Sequence, residues 1–188
     1  MCSTLYKGGF KHGLRHGSGI AYFPDGRNVL YEGDWANDTF DGTGTLYRED
    51  GYVLYEGRLK AGKQHGFGKQ YDYAGRLIYE GELEHDKMHG QGTMWRADGK
   101  KLYAGSFVRG EISGKGLMFG EHGDVEFDGE FADGKPHGWG RLYAPTGMVA
   151  HEGYWRAGRR HGRGKQVGPS GSVELQGEWV DGQFAKPA

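Results

Sequence analysis

The chain has 188 residues, of which 38 are glycine and 36% are hydrophobic, and its 24 basic side chains nearly balance its 25 acidic ones, leaving a formal net charge of −1. This balance argues against non-specific binding of nucleic acid, which requires a surplus of basic residues, so we expect no nucleic-acid partner. The single cysteine, Cys2, leaves no disulfide framework and no cysteine zinc site within one chain, and no apolar stretch approaches the roughly 20 residues of a membrane span.

The first element opens at Tyr6, and the same pattern then restarts at fixed intervals. The string at 31–35, Tyr-Glu-Gly-Asp-Trp, returns at 55–59 as Tyr-Glu-Gly-Arg-Leu. Repeats begin near residues 6, 31, 55, 79, 103, 127, 151 and 175, a spacing of 24 after a first interval of 25. A fixed period of this length indicates a repeat array, here seven full units and a truncated eighth that form a single domain over 1–188.

Glycine and aromatic residues occupy fixed columns of this repeat. If the opening aromatic is position 0, then 35 of the 38 glycines fall at positions 2, 7, 11, 13 and 20, and aromatic residues dominate positions 0, 4 and 16. Positions 0, 2 and 4 share one face of a strand, so a glycine between two rings leaves bare backbone against which a ring can lie. The residues assigned to this structural layer are Tyr31, Gly33, Trp35, Tyr55, Gly57, Tyr79, Gly81, Tyr103 and Gly105.

Each repeat is predicted to contain two strands and two turns. One turn is expected at positions 7–10, as in 61–64, and another at Asp-Gly pairs such as 50–51, since Asp-Gly between strands is a strong hairpin signal. Glycine at this density disfavours a helix by about 1 kcal/mol per residue. We therefore predict an all-β chain, an elongated, twisted single antiparallel sheet of tandem β-hairpins whose eighth unit stops after one strand.

The repeating string resembles the MORN (membrane occupation and recognition nexus) repeat. In the third unit it reads Tyr-Glu-Gly at 55–57, then Gly62, then His-Gly-Phe-Gly at 65–68, and the resemblance extends from Tyr6 to about Phe184. The unit here is one residue longer than the common MORN repeat, and the extra residue lies in the Asp-Gly turn. The resemblance implies scaffold and dimerisation modules, often at the cytoskeleton or at membranes, which were also proposed to bind phosphoinositides.

Histidines recur at position 10, which suggests a metal site, but geometry opposes it. Equivalent residues of successive hairpins lie roughly 10 Å apart, whereas zinc needs nitrogens about 2 Å away. We instead expect each histidine to close its turn by bonding nearby backbone. The histidines concerned are His16, His65, His89, His137 and His161.

Catalytic signatures find no support in the sequence. Glycine pairs such as Gly42 and Gly44 precede a strand, whereas a phosphate-binding loop must open a helix. No set of nucleophile, histidine and acid stands outside the repeating columns, and there is no nucleophile-elbow string. We predict a non-enzyme with no cofactor and no bound metal.

Two charge clusters interrupt the repeat near its carboxyl end. The acidic segment, 121–134, holds six carboxylates and no basic residue, and the basic segment, 156–165, holds five basic residues and no acid. They are open to three interpretations: two solvated faces, an anionic-lipid contact, or a charge-matched surface for self-association. The basic residues are Arg156, Arg159, Arg160, Arg163 and Lys165.

The last repeats depart from the pattern, which predicts that two chains meet at the carboxyl end. Position 0 changes to Phe127, His151 and Leu175, and an open array leaves an unpaired strand at its end. The candidate interface residues are Trp155, Leu175, Trp179 and Phe184.

The predicted function is a non-catalytic scaffold that binds a protein partner and forms a homodimer. One alternative is a peripheral membrane module that binds anionic lipids, such as phosphoinositides, through the basic segment; another is a trough whose aromatic columns grip a peptide. The amino terminus lacks a signal-peptide pattern, so we expect a cytoplasmic protein, with association to the cytoskeleton or a membrane left open. Cys2 is interpreted as a free thiol, the alternative being a palmitoylation site.

Overall fold

The computed structural model describes residues 5–188, and Cys2 lies outside them. Sixteen strands follow one another in chain order in one antiparallel sheet that is not closed, which confirms the all-β hairpin array. Contacts divide the chain into two compact units, one ending at Gly90 and the other beginning at Gln91, so the single-domain organisation stays a prediction. The strands are β1 (Tyr6–Lys11), β2 (Leu14–Tyr22), β3 (Val29–Ala36), β4 (Thr39–Tyr47), β5 (Val53–Lys60), β6 (Lys63–Tyr71), β7 (Leu77–Glu84), β8 (Lys87–Trp95), β9 (Lys101–Val108), β10 (Glu111–Phe119), β11 (Val125–Ala132), β12 (Lys135–Tyr143), β13 (Val149–Arg156), β14 (Arg159–Val167), β15 (Val173–Val180) and β16 (Gln183–Pro187).

The turn inside each repeat is shorter than the sequence suggested. It consists of positions 6 and 7 alone, and both residues have a positive φ, as in Asn37 at 48° and Asp38 at 67°. Two consecutive positive φ values define the type I′ turn, whose twist matches that of the flanking strands. The predicted turn over positions 7–10 is therefore wrong for positions 8–10, which already belong to the second strand, because the glycine at position 7 ends the turn rather than opening it.

The Asp-Gly turn between repeats is present as predicted, and it takes the form of a five-residue loop. In the second repeat the amide of Arg48 donates to the carbonyl of Tyr52, and the amide of Gly51 donates to the carbonyl of Arg48, both at 2.9 Å. The carboxylate of Asp50 accepts from the amide of Tyr52 at 3.3 Å, an Asx turn that fixes the loop.

The eighth unit also differs from the expectation of a single strand. After β15, a two-residue turn at Asp181 and Gly182 leads into β16, which pairs antiparallel with β15. The glycine at position 7 is the sequence signal for this turn. In the β15–β16 pair, Phe184 at position 9 lies opposite Trp179. The array therefore ends with a complete but short hairpin.

A row of facing glycines runs across the strands of each unit. In the third repeat Gly57 of β5 faces Gly68 of β6, and Gly68 in turn faces Gly81 of β7. The ring of Tyr55 lies over this pair, so that a Cβ added to Gly68 would lie 2.3 Å from the Tyr55 hydroxyl and one added to Gly57 would lie 2.5 Å from the Cα of Gly68. Both positions therefore require glycine, as the sequence predicted for position 2.

A bulge beside this glycine pair provides the acceptor that the buried tyrosine needs. Between Gly57 and Leu59 the single residue Arg58 faces three residues of β6, and one of these, Gly66, has a φ of 67° that favours glycine. The Tyr55 hydroxyl donates to the carbonyl of Arg58 at 2.6 Å. Equivalent bonds recur from Tyr31 to Asp34, from Tyr79 to Glu82 and from Tyr103 to Ser106. Burial raises the pKa of Tyr31, Tyr55 and Tyr103 to about 12, so these phenols stay protonated donors.

Edge-to-face ring contacts join neighbouring repeats of the carboxyl-terminal unit into a layer. There each ring at position 0 contacts the ring at position 4 of its own repeat and that of the next. In the carboxyl-terminal unit the centroid distances along this chain of rings lie between 5.0 and 5.4 Å. Such pairs contribute about 0.5–1.5 kcal/mol each beyond their burial. The rings in order are Tyr103, Phe131, Phe127, Trp155, His151, Trp179 and Phe184.

The imidazole of His151 occupies the place that tyrosine or phenylalanine takes in other repeats. It is fully buried between Trp155 and Trp179, and neither of its ring nitrogens has a hydrogen-bond partner. Burial, reinforced by the charge of Arg160, lowers the pKa of His151 from 6.5 to about 4. The imidazole is therefore neutral near pH 7 and leaves two polar atoms without partners in the ring layer, which is unfavourable.

We predict that Gly105→Ala destabilises the protein far more than Gly120→Ala. A Cβ on Gly105 would lie 2.5 Å from the Cα of Gly116, from the carbonyl of Lys115 and from the hydroxyl of Tyr103, and backbone atoms cannot easily give way. We expect a loss of about 3 kcal/mol in the free energy of unfolding. Gly120 is the matched control because the nearest atom to its added Cβ is 3.8 Å away and its φ is not strained, so we expect a change within about 0.5 kcal/mol. Equal denaturation midpoints would contradict the packing described above.

We also predict an acid-sensitive stability that His151→Phe removes. Because the folded pKa of His151 is lowered to about 4, the unfolded chain binds the extra proton between pH 6.5 and 4, and folding loses stability as the pH falls through this window. The loss is at most about 3 kcal/mol, from 1.36 kcal/mol per pKa unit. Urea denaturation of both proteins at several pH values tests this, and parallel curves for wild type and variant would show that His151 is not the cause.

Candidate functional site

The predicted interface residues at the carboxyl end lie largely within the chain's own ring layer. Trp155 is 8% exposed and its indole N–H donates to the carbonyl of Gly140 at 3.2 Å, while Trp179 is 4% exposed. Leu175 and Phe184 are half-buried, and Phe184 packs edge-to-face on Trp179 at 5.4 Å. The structure thus brings Trp155, Trp179 and Phe184 together, but as packing of one chain, and their role in an interface stays a prediction.

Most of the basic segment is neutralised by acids from neighbouring strands. Arg156 lies 3.0 Å from Asp181, Arg163 lies 3.5 Å from Glu178, and Lys165 lies 3.2 Å from Glu152. A hydrogen bond from Arg156 holds the pKa of the Asp181 carboxyl below its usual range. Glu152 and Glu178 belong to other strands than their partners, and Asp181 lies in the turn after β15, which is why a segment without acids looked uncompensated in the sequence.

The remaining two arginines of the basic segment have different surroundings. The guanidinium of Arg160 lies 5.0 Å from the centre of the Trp179 ring and donates to Gln166 at 2.9 Å. Burial lowers the pKa of Arg160, as expected for a cation removed from water. Arg159 faces Arg156 across the β13–β14 pair; like Arg156 and Arg163 it is exposed, but it forms no ion pair with residues 5–188. The segment therefore offers a much weaker cationic surface than its sequence implied.

The acidic segment, in contrast, forms no ion pair with any of residues 5–188. Its basic neighbours in register are Arg141, which faces Asp128 across β11 and β12, and Lys115, which faces Glu130 across β10 and β11, and neither forms an ion pair with the segment. Arg141 instead binds Glu152 at 2.7 Å, and this hydrogen bond lowers the pKa of Glu152. The two charged segments are consequently not equivalent, because the basic one is mostly satisfied internally and the acidic one is not.

Alternating charges and exposed rings mark the sheet face opposite the ring layer. Glu152 lies between Arg141 and Lys165 on adjacent strands and pairs with both. Trp139 and Tyr154 face each other across β12 and β13 and are 37% and 52% exposed. These rings were not predicted because they lie at positions 12 and 3, outside the aromatic columns. The available signal was that each directly adjoins a glycine of the row, at position 13 or 2, so that its side chain points to the opposite face.

The carboxyl-terminal unit has two surface depressions. A cavity of about 220 Å³ lies over the glycine row and is lined by Trp139, Tyr154 and Arg163. A groove of about 520 Å³ lies beside the acidic segment and is lined by Glu121 and other residues. Within residues 5–188 no group of three or more histidine, cysteine or acidic side chains could hold a metal ion.

The position-10 histidines do not close their turns as expected. His65, for example, lies inside the bulge of β6, three residues beyond the type I′ turn. The Nδ1 atoms of His16 and His89 are buried without a hydrogen-bond partner, although that of His89 lies 3.7 Å from the Glu84 carboxylate. Nδ1 of His161 accepts from the amide of Asp181 in the next repeat at 3.5 Å. The turn is closed by its own backbone geometry, so the hydrogen-bonding role predicted for these histidines is wrong.

The amino-terminal end of the sheet exposes more apolar surface than the carboxyl-terminal end. The side chains of Phe10 and Leu5 are 65% and 51% exposed, although Phe10 occupies position 4, where Trp35 of the next repeat is 3% exposed.

In the part of the chain that the structure describes, no helix is long and apolar enough to cross a membrane.

Comparison with known proteins agrees with this geometry. A family model described as the MORN repeat matches residues 6–26, 31–51, 55–75, 79–101, 103–124, 127–149, 151–173 and 176–185. Most of these matches begin at the ring of position 0, and several end at the glycine of position 20. A search of curated proteins gave no match. The matches together cover far more than half of the chain, which therefore belongs to the MORN repeat family.

Proposed function

We propose that the protein is a non-catalytic scaffold that binds other proteins and associates with a second copy of itself. One observation carries this proposal: the repeated residues of the array pack against one another. The surfaces that remain for binding are the open edges of the sheet and its broad polar face. MORN repeats are known from scaffolds of protein and lipid interaction, which supports the same reading. We place the protein in the cytoplasm, where such a scaffold meets the cytoskeleton or a membrane.

The unpaired carboxylates of the acidic segment favour a protein partner over an anionic lipid. Glu121, Asp128 and Glu130 have no ion-pair partner within residues 5–188, and a lipid headgroup would add repulsion there. In the basic segment only Arg159 lacks a side-chain partner among the contacts described above. One uncompensated basic residue near an anionic surface contributes about 1 kcal/mol, roughly a fivefold gain in partitioning.

We predict that the purified chain is dimeric at tens of micromolar and binds phosphoinositide vesicles at most weakly. Sedimentation velocity measures the first property, and co-sedimentation with phosphatidylcholine vesicles, with and without phosphatidylinositol bisphosphate, measures the second. We expect the partition coefficients of the protein for the two vesicle types to differ by no more than about fivefold.

The control for vesicle binding is Arg159→Glu, which reverses the charge of the one basic residue in the segment that forms no side-chain contact described above. If the chain is monomeric, and if strong phosphoinositide binding is lost in Arg159→Glu, then the protein is a peripheral membrane module and the scaffold proposal is wrong. An affinity purification from cell extract, with the partner then bound as a purified protein, tests the remaining part of the proposal.

A further inference from the structure

Strand β1 forms an edge of the sheet, and among the first strands of the repeats in residues 5–188 it alone lacks a neighbour on one side. Strands β3 to β15 each have a neighbour on both sides, whereas β1 has only β2. We propose that two copies of the chain join through β1, antiparallel, with Gly8 of one copy facing Gly8 of the second. This inference rests on the proposed self-association and places it at the amino-terminal edge instead of the carboxyl end.

The backbone of β1 is oriented to accept another strand. The carbonyl of Leu5 accepts a hydrogen bond from the amide of Tyr22, so the polar groups of Leu5 point into the β1–β2 pair. Successive residues of a strand direct their backbone groups to opposite sides. The N–H and C=O groups of Tyr6 and Gly8 therefore point to the free edge, and no strand of residues 5–188 pairs with them.

The glycine row of the amino-terminal unit ends at Gly8. Within the row Gly8 faces Gly19, and Gly19 faces Gly33 on its other side, so each inner glycine lies between two others. A second copy of β1, placed with its Gly8 opposite the Gly8 of the first copy, continues the row with another glycine. The two-fold axis then passes between the two glycines, as a closed two-fold contact requires.

The ring layer is also incomplete at this end. The ring of Tyr6 packs edge-to-face on Trp35 at 5.1 Å and on Phe10 at 5.2 Å, and Phe10 is 65% exposed. In the proposed register Phe10 lies opposite Tyr6 of the second copy, and the same pair recurs by symmetry. Two aromatic cross-strand pairs therefore span the interface, in the arrangement that stabilises antiparallel pairs elsewhere.

The opposite end of the sheet is much less suited to the same contact. Strand β16 has five residues, its last one, Pro187, has no N–H to donate, and Lys186 precedes it. Short strands, proline and lysine at an edge are common devices that discourage pairing. A head-to-tail chain of copies, β1 on β16, is disfavoured for this reason, so we expect a closed dimer and no filament.

Charge gives the proposed interface a recognisable salt dependence. In the proposed register Lys7 faces Gly9 of the second copy and Lys11 faces Leu5, so no lysine directly faces another. Added salt screens the weak repulsion between these lysines, so association stays constant or strengthens up to about 0.5 M salt. A contact between the acidic and basic segments would instead weaken with salt.

The test uses the full chain and variants of its exposed rings. Sedimentation velocity is run on wild type, on Phe10→Lys and on the double variant Leu5→Lys/Phe10→Lys, each checked for an unchanged circular dichroism spectrum and melting temperature. We expect the dimer dissociation constant to rise at least tenfold in Phe10→Lys. The matched control is Phe67→Lys, since Phe67 is 56% exposed but lies on β6, which is paired on both sides, and we expect a change below twofold.

Amine cross-linking provides a positive signal that a folding defect cannot produce. The two Lys7 Cα atoms would lie about 8 Å apart in the proposed register. A cross-link between Lys7 and Lys7 joins identical residues and can come only from two copies, so mass spectrometry should find it in wild type and lose it in the double variant.

Five results overturn the inference, and they separate it from the proposed function. A dimer that persists in the double variant, or that disappears on deletion of residues 172–188, shows self-association through another surface. A dimer that weakens with salt points to the charged segments. A wild-type monomer whose binding to a purified partner is lost in Phe10→Lys assigns the edge to that partner. If the wild type is a monomer and Phe10→Lys still binds the partner, then self-association is also wrong as a part of the proposed function.

Discussion

The contact between the ring at position 0 and the two glycines beneath it determines which residues and which backbone geometry the neighbouring positions of the repeat can have. The ring of Tyr55 lies so close to Gly57 and Gly68 that no side chain fits at either position. Its hydroxyl then needs an acceptor within the strand, and the bulge supplies the carbonyl of Arg58. The bulge in turn needs a left-handed residue, which explains the glycine at position 11. One buried ring thus accounts for three of the five glycine columns.

Much of this architecture could be predicted from the period alone, because each column has one structural cause. The hairpins, the Asp-Gly loops and the ring layer follow from spacing. The bulge could not be predicted, since positions 8–16 show no irregular spacing. The turn was therefore placed one residue too late at its start and three residues too late at its end. The histidines were assigned to the turn for the same reason, although they lie in the bulge. β16 was missed because its hairpin ends before the second glycine.

The charged segments show where reasoning along the chain fails and register is needed. The basic segment was judged by its own residues, but three acids outside the segment neutralise it: Glu152 and Glu178 from neighbouring strands, and Asp181 from the turn after β15. The burial of Trp155 and Trp179 has the same origin, because each ring is covered by a ring 28 positions earlier, in the preceding repeat. By contrast, the exposure of Phe10 follows from its place in the first repeat, before which no strand of the described chain lies.

The sequential strand order has a further consequence for how the chain folds. Every strand pairs with the strand next to it in sequence, so each contact closes a loop of at most about one repeat, and chains with such local contacts fold rapidly. Stability in such an array depends on nearest neighbours, and loss of one repeat does not require loss of all. His151 places two unbonded nitrogens in the seventh repeat, which makes this repeat a point at which local unfolding can begin while the hairpins before it remain paired.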